Sequence, residues 1–255
     1  MDNEIKIEVD LTNPGQYFAG CGLLELAAKL SPEALGWFDG AGNFCLAHTP
    51  PLTELLAAIV NAKITALDDH DIYASPLQIG KPFNLRLDWW KNAAHDTSAL
   101  KTWAGTMEGP RIARALQRAV KTLIETSNFA PEKLFTIDGV ADTDDGKKVE
   151  PFYFDAKRAV DARDVGFSPN DIKWETYATP AVELLCLVGL QRAVPAPLGK
   201  PRQRQFVYHG WTRPLPITLI AAAVNGLLPD VAPAYCFESW RRDDKHKAFK
   251  TACHL

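Results

Sequence analysis

Hydrophobic and polar positions in the first ninety residues alternate between helical and extended periods. Two segments, 14–30 and 52–66, place apolar residues every three or four positions, which predicts helices. Four other segments are predicted to be strands, namely 4–10, 35–39, 43–48 and 83–90. The resulting order of strand, helix, strand, strand, helix and strand is that of a ferredoxin-like, RRM-like unit.

The first predicted helix begins with favourable residues and contains two unfavourable ones. Asn13 is a good N-cap, and Pro14 suits a first turn because its missing N–H has no helical partner to lose. Gly20 and Gly22 each cost about 1 kcal/mol against alanine inside a helix. We therefore expect a buried helix whose glycines lie where another element approaches its backbone closely.

The remainder of the chain is predicted to contain further helices and antiparallel strands. Helices are expected at 109–125, from Thr179–Pro180 onward and at 216–228. Strands are expected within 127–150, at 205–211 and at 233–240. The predicted fold class is therefore α+β, with a ferredoxin-like unit at 1–92. A second α+β region at 93–255 either packs against that unit or is continuous with it.

The chain is 47% hydrophobic and carries a formal net charge of −3. A free-standing nucleic-acid-binding protein is usually basic, so this charge favours a subunit that contacts nucleic acid over a small area. Because the apolar content is high for so weakly charged a chain, part of the apolar surface is expected to face partner subunits.

The cysteines indicate a reducing cytoplasm. They are five in number, widely separated and without a CxxC pair: Cys21, Cys45, Cys186, Cys236 and Cys253. The lack of a CxxC pair argues against zinc, and the odd number of cysteines argues against a secreted disulfide framework. The N-terminus lacks the apolar core of a signal peptide. The most apolar run, 217–228, is too short to span a bilayer.

Three basic clusters are candidate nucleic-acid contacts. One is a row on the predicted helix at 109–125, formed by Arg111, Arg114, Arg118 and Lys121. Spacings of three, four and three residues place these cations along one helix face, where they can follow phosphates or form an ordinary solvated surface. The others are a linker expected to be exposed, with Lys200, Arg202 and Arg204, and a tail with Arg241 and Arg242. We assign motif readout to the linker and phosphate tracking to the helix.

Catalytic and metal-binding patterns are weak. The chain has no HExxH, no G-x-S-x-G and no Walker loop. The acidic run 68–71 is more typical of a solvated loop than of a metal site, and the turn at 142–146 is more typical of a hairpin than of an EF-hand. Cys21 and His209 form a thiol site only if the fold brings them together. No metal or cofactor is expected.

Four pieces of sequence resemble a CRISPR-associated family of type I-G systems, formerly called I-U. The first piece is NPGQYFAGCGLLELAAKL at 13–30, followed by a Trp-Phe hairpin at 36–39 and 44–46. The others, in the same order along the chain, are 152–155 with 162–169, 208–216 and 235–242. Together they cover about half of the chain, and the first is the most specific.

The resemblance implies a non-catalytic subunit of a crRNA-guided Cascade complex, in the large-subunit role of this antiviral defence system. Its implied tasks are to hold the 5′ end of the crRNA, to recognise the protospacer-adjacent motif on double-stranded DNA and to help recruit the helicase-nuclease. Its implied partners are the backbone and crRNA-processing subunits. The family has no catalytic motif, so no active-site residues are transferred.

Two alternatives remain at this point. Other CRISPR subunits with a ferredoxin-like fold cleave crRNA, so the chain is alternatively a metal-independent endoribonuclease. Tyr208, His209 or His48 would then serve as acid or base. The other alternative is a purely structural Cascade subunit that contacts only protein.

Overall fold

The computed structural model describes residues 4–68, 75–91, 98–104, 107–126, 129–143, 146–157, 177–200, 203–229, 231–241 and 247–255. Within these ranges the chain is mixed α+β, with helices and antiparallel sheets. None of the helices in these ranges has both the length and the apolar character needed to cross a membrane.

Five α-helices lie in the described ranges: α1 (Pro14–Leu30), α2 (Leu52–Asn61), α3 (Gly109–Glu125), α4 (Pro180–Gly189) and α5 (Ile220–Val224). The N-terminal strands are β1 (Ile5–Glu8), β2 (Leu35–Phe38), β3 (Asn43–Ala47), β4 (Ile64–Ala66), β5 (Leu77–Ile79) and β6 (Leu85–Leu87). The later strands are β7 (Gly139–Val140), β8 (Tyr177–Ala178), β9 (Ala196–Leu198), β10 (Gln205–Trp211), β11 (Leu215–Pro216), β12 (Val231–Arg241), β13 (Lys247–Phe249) and β14 (Cys253–His254).

Helix α1 lies at the centre of the fold and confirms the predicted segment. The Asn13 side chain accepts a hydrogen bond from the Gly15 N–H, as expected of an N-cap. Helix α4 crosses α1 where both have a glycine. A Cβ atom at Gly22 would overlap the Leu185 carbonyl and lie 2.9 Å from the Gly189 nitrogen. The predicted close backbone approach is therefore confirmed at Gly22.

Gly20 has a different neighbour. A Cβ atom there would lie 3.0 Å from the Cγ atom of Phe44, so a side chain and not a backbone limits this position. Phe44 belongs to β3, and the contact packs α1 against the N-terminal sheet. The two glycines thus face two different neighbours, the sheet and α4.

The N-terminal sheet has the strand order β1-β3-β2-β11, and all of its pairs are antiparallel. The predicted strand at 83–90 would complete a ferredoxin-like sheet, but β6 lies in a separate sheet of order β4-β5-β6. The ferredoxin-like unit is therefore not confirmed. The predicted helix 52–66 in fact ends at Asn61, and 64–66 begins the separate sheet. The connection from β5 to β6 has only five residues, so this antiparallel pairing costs little loop entropy.

The C-terminal sheet has the order β13-β12-β10-β9, and β14 also pairs with β12. The strand predicted at 205–211 is confirmed. The helix predicted at 216–228 is shorter, comprising a 3-10 turn at Ile217–Leu219 and α5. Within 127–150, where strands were expected, the described residues form a 3-10 turn at Pro131–Lys133 and one short strand, β7.

One hydrophobic core contains residues from both predicted regions, 1–92 and 93–255. The Tyr17 hydroxyl donates to the His209 carbonyl at 2.5 Å, and the Trp211 indole N–H donates to the Gly36 carbonyl at 2.8 Å. Buried aromatic groups of this kind need a partner for their polar atom, so these bonds tie β10 firmly to the N-terminal elements.

Candidate nucleic-acid interface

Helix α3 covers the end of α2 and the open edge of β4. The Gln117 side-chain amide donates to the carbonyls of Ile59 and Ala62, both at 2.7 Å. The Arg114 guanidinium donates to the Ile64 carbonyl at 3.4 Å. Carbonyls at a helix C-terminus and along an edge strand lack partners within their own element, and α3 supplies them.

The predicted row of cations divides into two kinds. Arg118 is half-buried and donates to the Asp142 carbonyl at 2.5 Å. Like Arg114, it therefore forms a hydrogen bond to the backbone of another segment. Arg111 and Lys121 are exposed, and Lys121 pairs with Glu125 at 3.9 Å. The helix is confirmed, but its two middle cations contact the protein and only its outer two project into solvent.

The exposed ends of the row are well separated. Arg111 and Lys121 are ten residues apart, so their Cα atoms lie about 15 Å apart along a helix with a rise of about 1.5 Å per residue. Beside the row, the backbones of Asp142 and Lys148 form an isolated antiparallel β-bridge, and both residues are exposed. The surface therefore carries both signs of charge, and any attraction for phosphates is local.

Lys200 is the exposed part of the predicted linker. It follows β9 and Gly199, which has a φ of +71°. The backbone N–H of Lys200 donates to the Gln203 side chain at 2.9 Å, which closes a tight turn and leaves the ammonium group in solvent. Arg202 lies outside the described residues.

Arg204 corrects the expectation of a fully exposed linker. Its guanidinium Nε donates to the Ser239 carbonyl at 2.7 Å, and another N–H donates to the Ala99 carbonyl. The side chain is half-buried, and burial, followed by the nearby Arg241, lowers the pKa of the guanidinium. Arg204 directly precedes β10, whose pairing with β12 brings it beside Ser239.

Arg241 is exposed at the end of β12, where it lies opposite Lys247 of β13. Arg242 lies outside the described residues. Two neighbouring residues, Trp240 and Lys250, were not identified as candidate contacts from the sequence. The Lys250 ammonium lies 5.7 Å from the centre of the Trp240 ring and 2.9 Å from the Glu238 carboxylate. Alternation along β12 places Trp240 on the outer face of the sheet, and this periodicity is the signal that could have identified it.

A buried polar cluster joins α1, α4 and the segment 152–157. The Asp155 carboxylate accepts from the Asn13 amide at 2.7 Å and from the Thr179 hydroxyl at 2.6 Å. The Glu183 carboxyl accepts from the backbone N–H groups of Phe154 and Asp155. Burial raises the pKa of Glu183 to about 8. These groups are enclosed by the core, so they fix three segments relative to one another and are closed to ligands.

The side chains considered for catalysis occupy separate environments. The Tyr208 hydroxyl donates to the Leu11 carbonyl at 2.6 Å, and burial raises its pKa. Burial also raises the pKa of the Cys21 thiol, and no hydrogen bond joins Cys21 to His209. His48 is exposed, and its backbone has a φ of +56°.

Among the described residues, no three His, Cys, Asp or Glu side chains form a group that could hold a metal ion. Of the acidic run 68–71, only Asp68 is described. The described members of the predicted basic clusters that are exposed are Arg111 and Lys121 on α3, Lys200 after β9 and Arg241 at the end of β12. Comparison with known proteins adds no assignment, because no family model, curated protein or solved structure matches the chain.

Proposed function

We propose that the chain is a non-catalytic subunit of a type I-G CRISPR crRNA-guided complex, in the large-subunit role of antiviral defence. There it contacts crRNA and target DNA and helps recruit the helicase-nuclease. One observation carries this proposal. Segments from all four pieces of sequence that resemble the family meet around α1.

These contacts join residues that are far apart in sequence. The Phe18 ring of the first piece lies 5.5 Å from Tyr208 of the third and 6.0 Å from Phe237 of the fourth. The second piece is joined through the Asn13–Asp155 hydrogen bond of 2.7 Å. Its portion at 162–169 lies outside the described residues. A resemblance whose parts pack into one unit is better supported than one whose parts are scattered.

The N-terminal strands suggest a finer relationship. We propose that β1, α1, β2 and β3 are a partial ferredoxin-like unit, since β3 lies between β1 and β2 and is antiparallel to both. The position beside β1 is approached by the 3-10 turn at Pro131–Lys133, where Lys133 pairs with Glu8 at 2.5 Å. In this interpretation, the missing fourth strand is replaced by a later part of the chain.

The exposed cations are the proposed contacts with phosphate. Arg111, Lys121, Lys200 and Arg241 reach solvent, while Arg114, Arg118 and Arg204 also hold the fold together. Because the chain carries a net charge of −3, most phosphate contacts in the complex must come from other subunits.

A structural subunit that contacts only protein is the second candidate. Exposed apolar side chains favour it. Leu227 is 76% exposed, and nearby Val194 is 44% exposed, its carbonyl accepting from Asn225 at 3.1 Å. A cluster of this kind on one surface is suited to burial against another subunit.

The test is co-expression of the chain with its genomic neighbours and a crRNA, followed by affinity purification and size-exclusion chromatography. We expect a ribonucleoprotein that contains the chain and crRNA and binds target duplex DNA. Elution as a monomer free of RNA contradicts the proposal. A complex whose crRNA and DNA binding are unchanged when the chain is omitted supports the structural candidate. Cleavage of repeat RNA by the chain alone, without metal, would establish an endoribonuclease.

A further inference from the structure

We infer that Cys236 and Cys253 form a reversible disulfide that joins the C-terminal strand β14 to β12. The two residues lie directly opposite each other in this antiparallel pair, and both are free thiols in the structure. Cys253 is exposed and Cys236 is half-buried, so the pair is open to a small oxidant. The other three cysteines are buried: Cys21, Cys45 and Cys186.

The strand register fixes this opposition. The Leu255 N–H donates to the Ala234 carbonyl at 2.9 Å, which makes this a hydrogen-bonded pair of the antiparallel ladder. Hydrogen-bonded and non-hydrogen-bonded pairs alternate, so the Cys236–Cys253 pair, two positions away, is also of the hydrogen-bonded kind. This register keeps the two cysteines opposite each other while β14 is paired with β12.

The spacing of such a pair suits a strained disulfide. Hydrogen-bonded partners have Cα atoms about 5.5 Å apart, within the range of about 4.4–6.8 Å seen in disulfides. Their Cβ atoms are about 4.5–5.5 Å apart, whereas a disulfide requires about 3.5–4.5 Å. The strands must therefore move slightly together. Because a strained disulfide is more easily reduced, the bond is suited to reversal.

The reaction needs an oxidant, and we assign this role to a small disulfide such as glutathione disulfide. The exposed Cys253 thiolate attacks one sulfur of the small disulfide, breaks its S–S bond and releases one small thiolate. Cys236 then loses its proton to solvent and attacks the Cys253 sulfur, which releases the second small thiolate. Burial, followed by the neighbouring Cys253, raises the pKa of Cys236, which is consistent with its reacting second.

The bond closes a loop of residues 237–252, which includes β13. Restricting a loop of this size in the unfolded chain should raise the midpoint of thermal unfolding by about 5–10 °C. Both strands belong to the same molecule, so the disulfide and the rise in unfolding midpoint need no binding partner.

The experiment uses the reduced full-length chain, incubated with glutathione disulfide under native conditions. Intact mass and non-reducing peptide mapping follow the products. We expect the loss of two hydrogen atoms and one crosslinked peptide pair containing residues 236 and 253, both reversed by dithiothreitol. Cys236→Ser should stop at a glutathione adduct on Cys253, and Cys253→Ser should gain no crosslink. Both variants should match the reduced parent in thermal unfolding.

Two results would overturn the inference. One is an unsubstituted chain that stops at the glutathione adduct as Cys236→Ser does, or that links only different copies of the chain. The other is an oxidised chain with the expected crosslink but with no rise in its unfolding midpoint, which would show that the bond restrains nothing. Both readouts use the unsubstituted chain, so neither requires a variant to fold.

Discussion

Helices α1 and α3 have the same length, 17 residues, and each has a proline in its first turn, but they are used in opposite ways. All residues of α1 from Pro14 to Ala27 are buried. In α3, the buried residues follow one face, and charged residues occupy the other. One helix is enclosed on all sides, whereas the other has a side that faces solvent.

This difference between a buried and a partly exposed helix separates evidence about the fold from evidence about surface contacts. The sequence resemblance is strongest in α1, where buried residues specify packing. The candidate contacts lie on α3 and at the ends of the C-terminal sheet, where side chains reach solvent. A resemblance carried by α1 therefore supports an assignment of fold and family more directly than an assignment of contact residues.

The largest expected effect is at the crossing of α1 and α4. Gly22→Ala should lower the free energy of unfolding by about 3 kcal/mol or more, because the new Cβ meets backbone atoms of Leu185 and Gly189. Gly20→Ala should change it by about 1 kcal/mol or less, since the Phe44 ring can shift and alanine favours the helix. Urea unfolding of both variants measures the difference. Equal losses would contradict the assigned backbone contact.

The next effect is a pH dependence from Glu183 of α4. Burial raises its pKa to about 8, above its ordinary value of 4.5, so the folded chain binds more protons than the unfolded chain between these values. The free energy of unfolding should therefore fall, by a few kcal/mol, as the pH rises through this window. Thermal unfolding at pH 5 to 8 tests this.

Glu183→Gln is the matched variant for this pH series. Glutamine keeps the shape and the acceptor oxygen but cannot ionise, so its unfolding midpoint should vary less with pH than that of the parent. Parallel curves for parent and variant would show that Glu183 is not the group responsible.

A smaller effect is expected on the inner face of α3. Gln117→Ala removes the side-chain donor that the Ile59 and Ala62 carbonyls share, although the Ile59 carbonyl keeps the Ala62 N–H, and should cost about 1–2 kcal/mol. Thr122→Ala, on the exposed face of the same helix, should stay within about 0.5 kcal/mol of the parent. Chemical denaturation compares the two, and a loss as small for Gln117 as for Thr122 would refute the bridging role.

The smallest effect on stability is expected on the outer face of α3. Arg111→Ala with Lys121→Ala should leave unfolding within about 0.5 kcal/mol of the parent. In the proposed complex, the double substitution should weaken DNA binding and reduce the slope of the salt dependence by about one unit per lost phosphate contact. The control is Lys29→Ala with Arg86→Ala, which removes equal charge elsewhere. If the two double variants show the same salt dependence of DNA binding, α3 does not contact the DNA.

Local preferences were sufficient to predict α1. Its N-cap and its first-turn proline act within the helix, so the sequence alone identifies them. Its two glycines are unfavourable in a helix, and that cost indicated a close contact. The strands at 205–211 and 43–47 were also predictable, because alternation of apolar and polar residues is a local signal. The fourth ferredoxin-like strand was not, because pairing β6 with β5 or with β1 depends on loop closure that propensity does not measure.

The candidate site was less predictable than the fold. Spacing alone placed Arg111, Arg114, Arg118 and Lys121 in one row, but it could not show that Arg114 and Arg118 bind carbonyls. Arg204 was expected in solvent because its neighbours in sequence are polar. Its actual neighbours, Ala99 and Ser239, are distant in sequence. The pairing of β10 with β12 brings Ser239 beside Arg204, and the Ser239 hydroxyl also donates to the Ala99 carbonyl at 2.7 Å.

The strands synthesised late complete the sheet that begins the chain. Strand β11 pairs with β2, the Tyr208 hydroxyl donates to the Leu11 carbonyl, and the Ala252 N–H donates to the Thr12 carbonyl. Contacts over such sequence separations form slowly. During translation, the N-terminal elements must therefore wait with apolar surface uncovered until the last third of the chain leaves the ribosome. Apolar surface left uncovered during that interval makes the growing chain prone to aggregation.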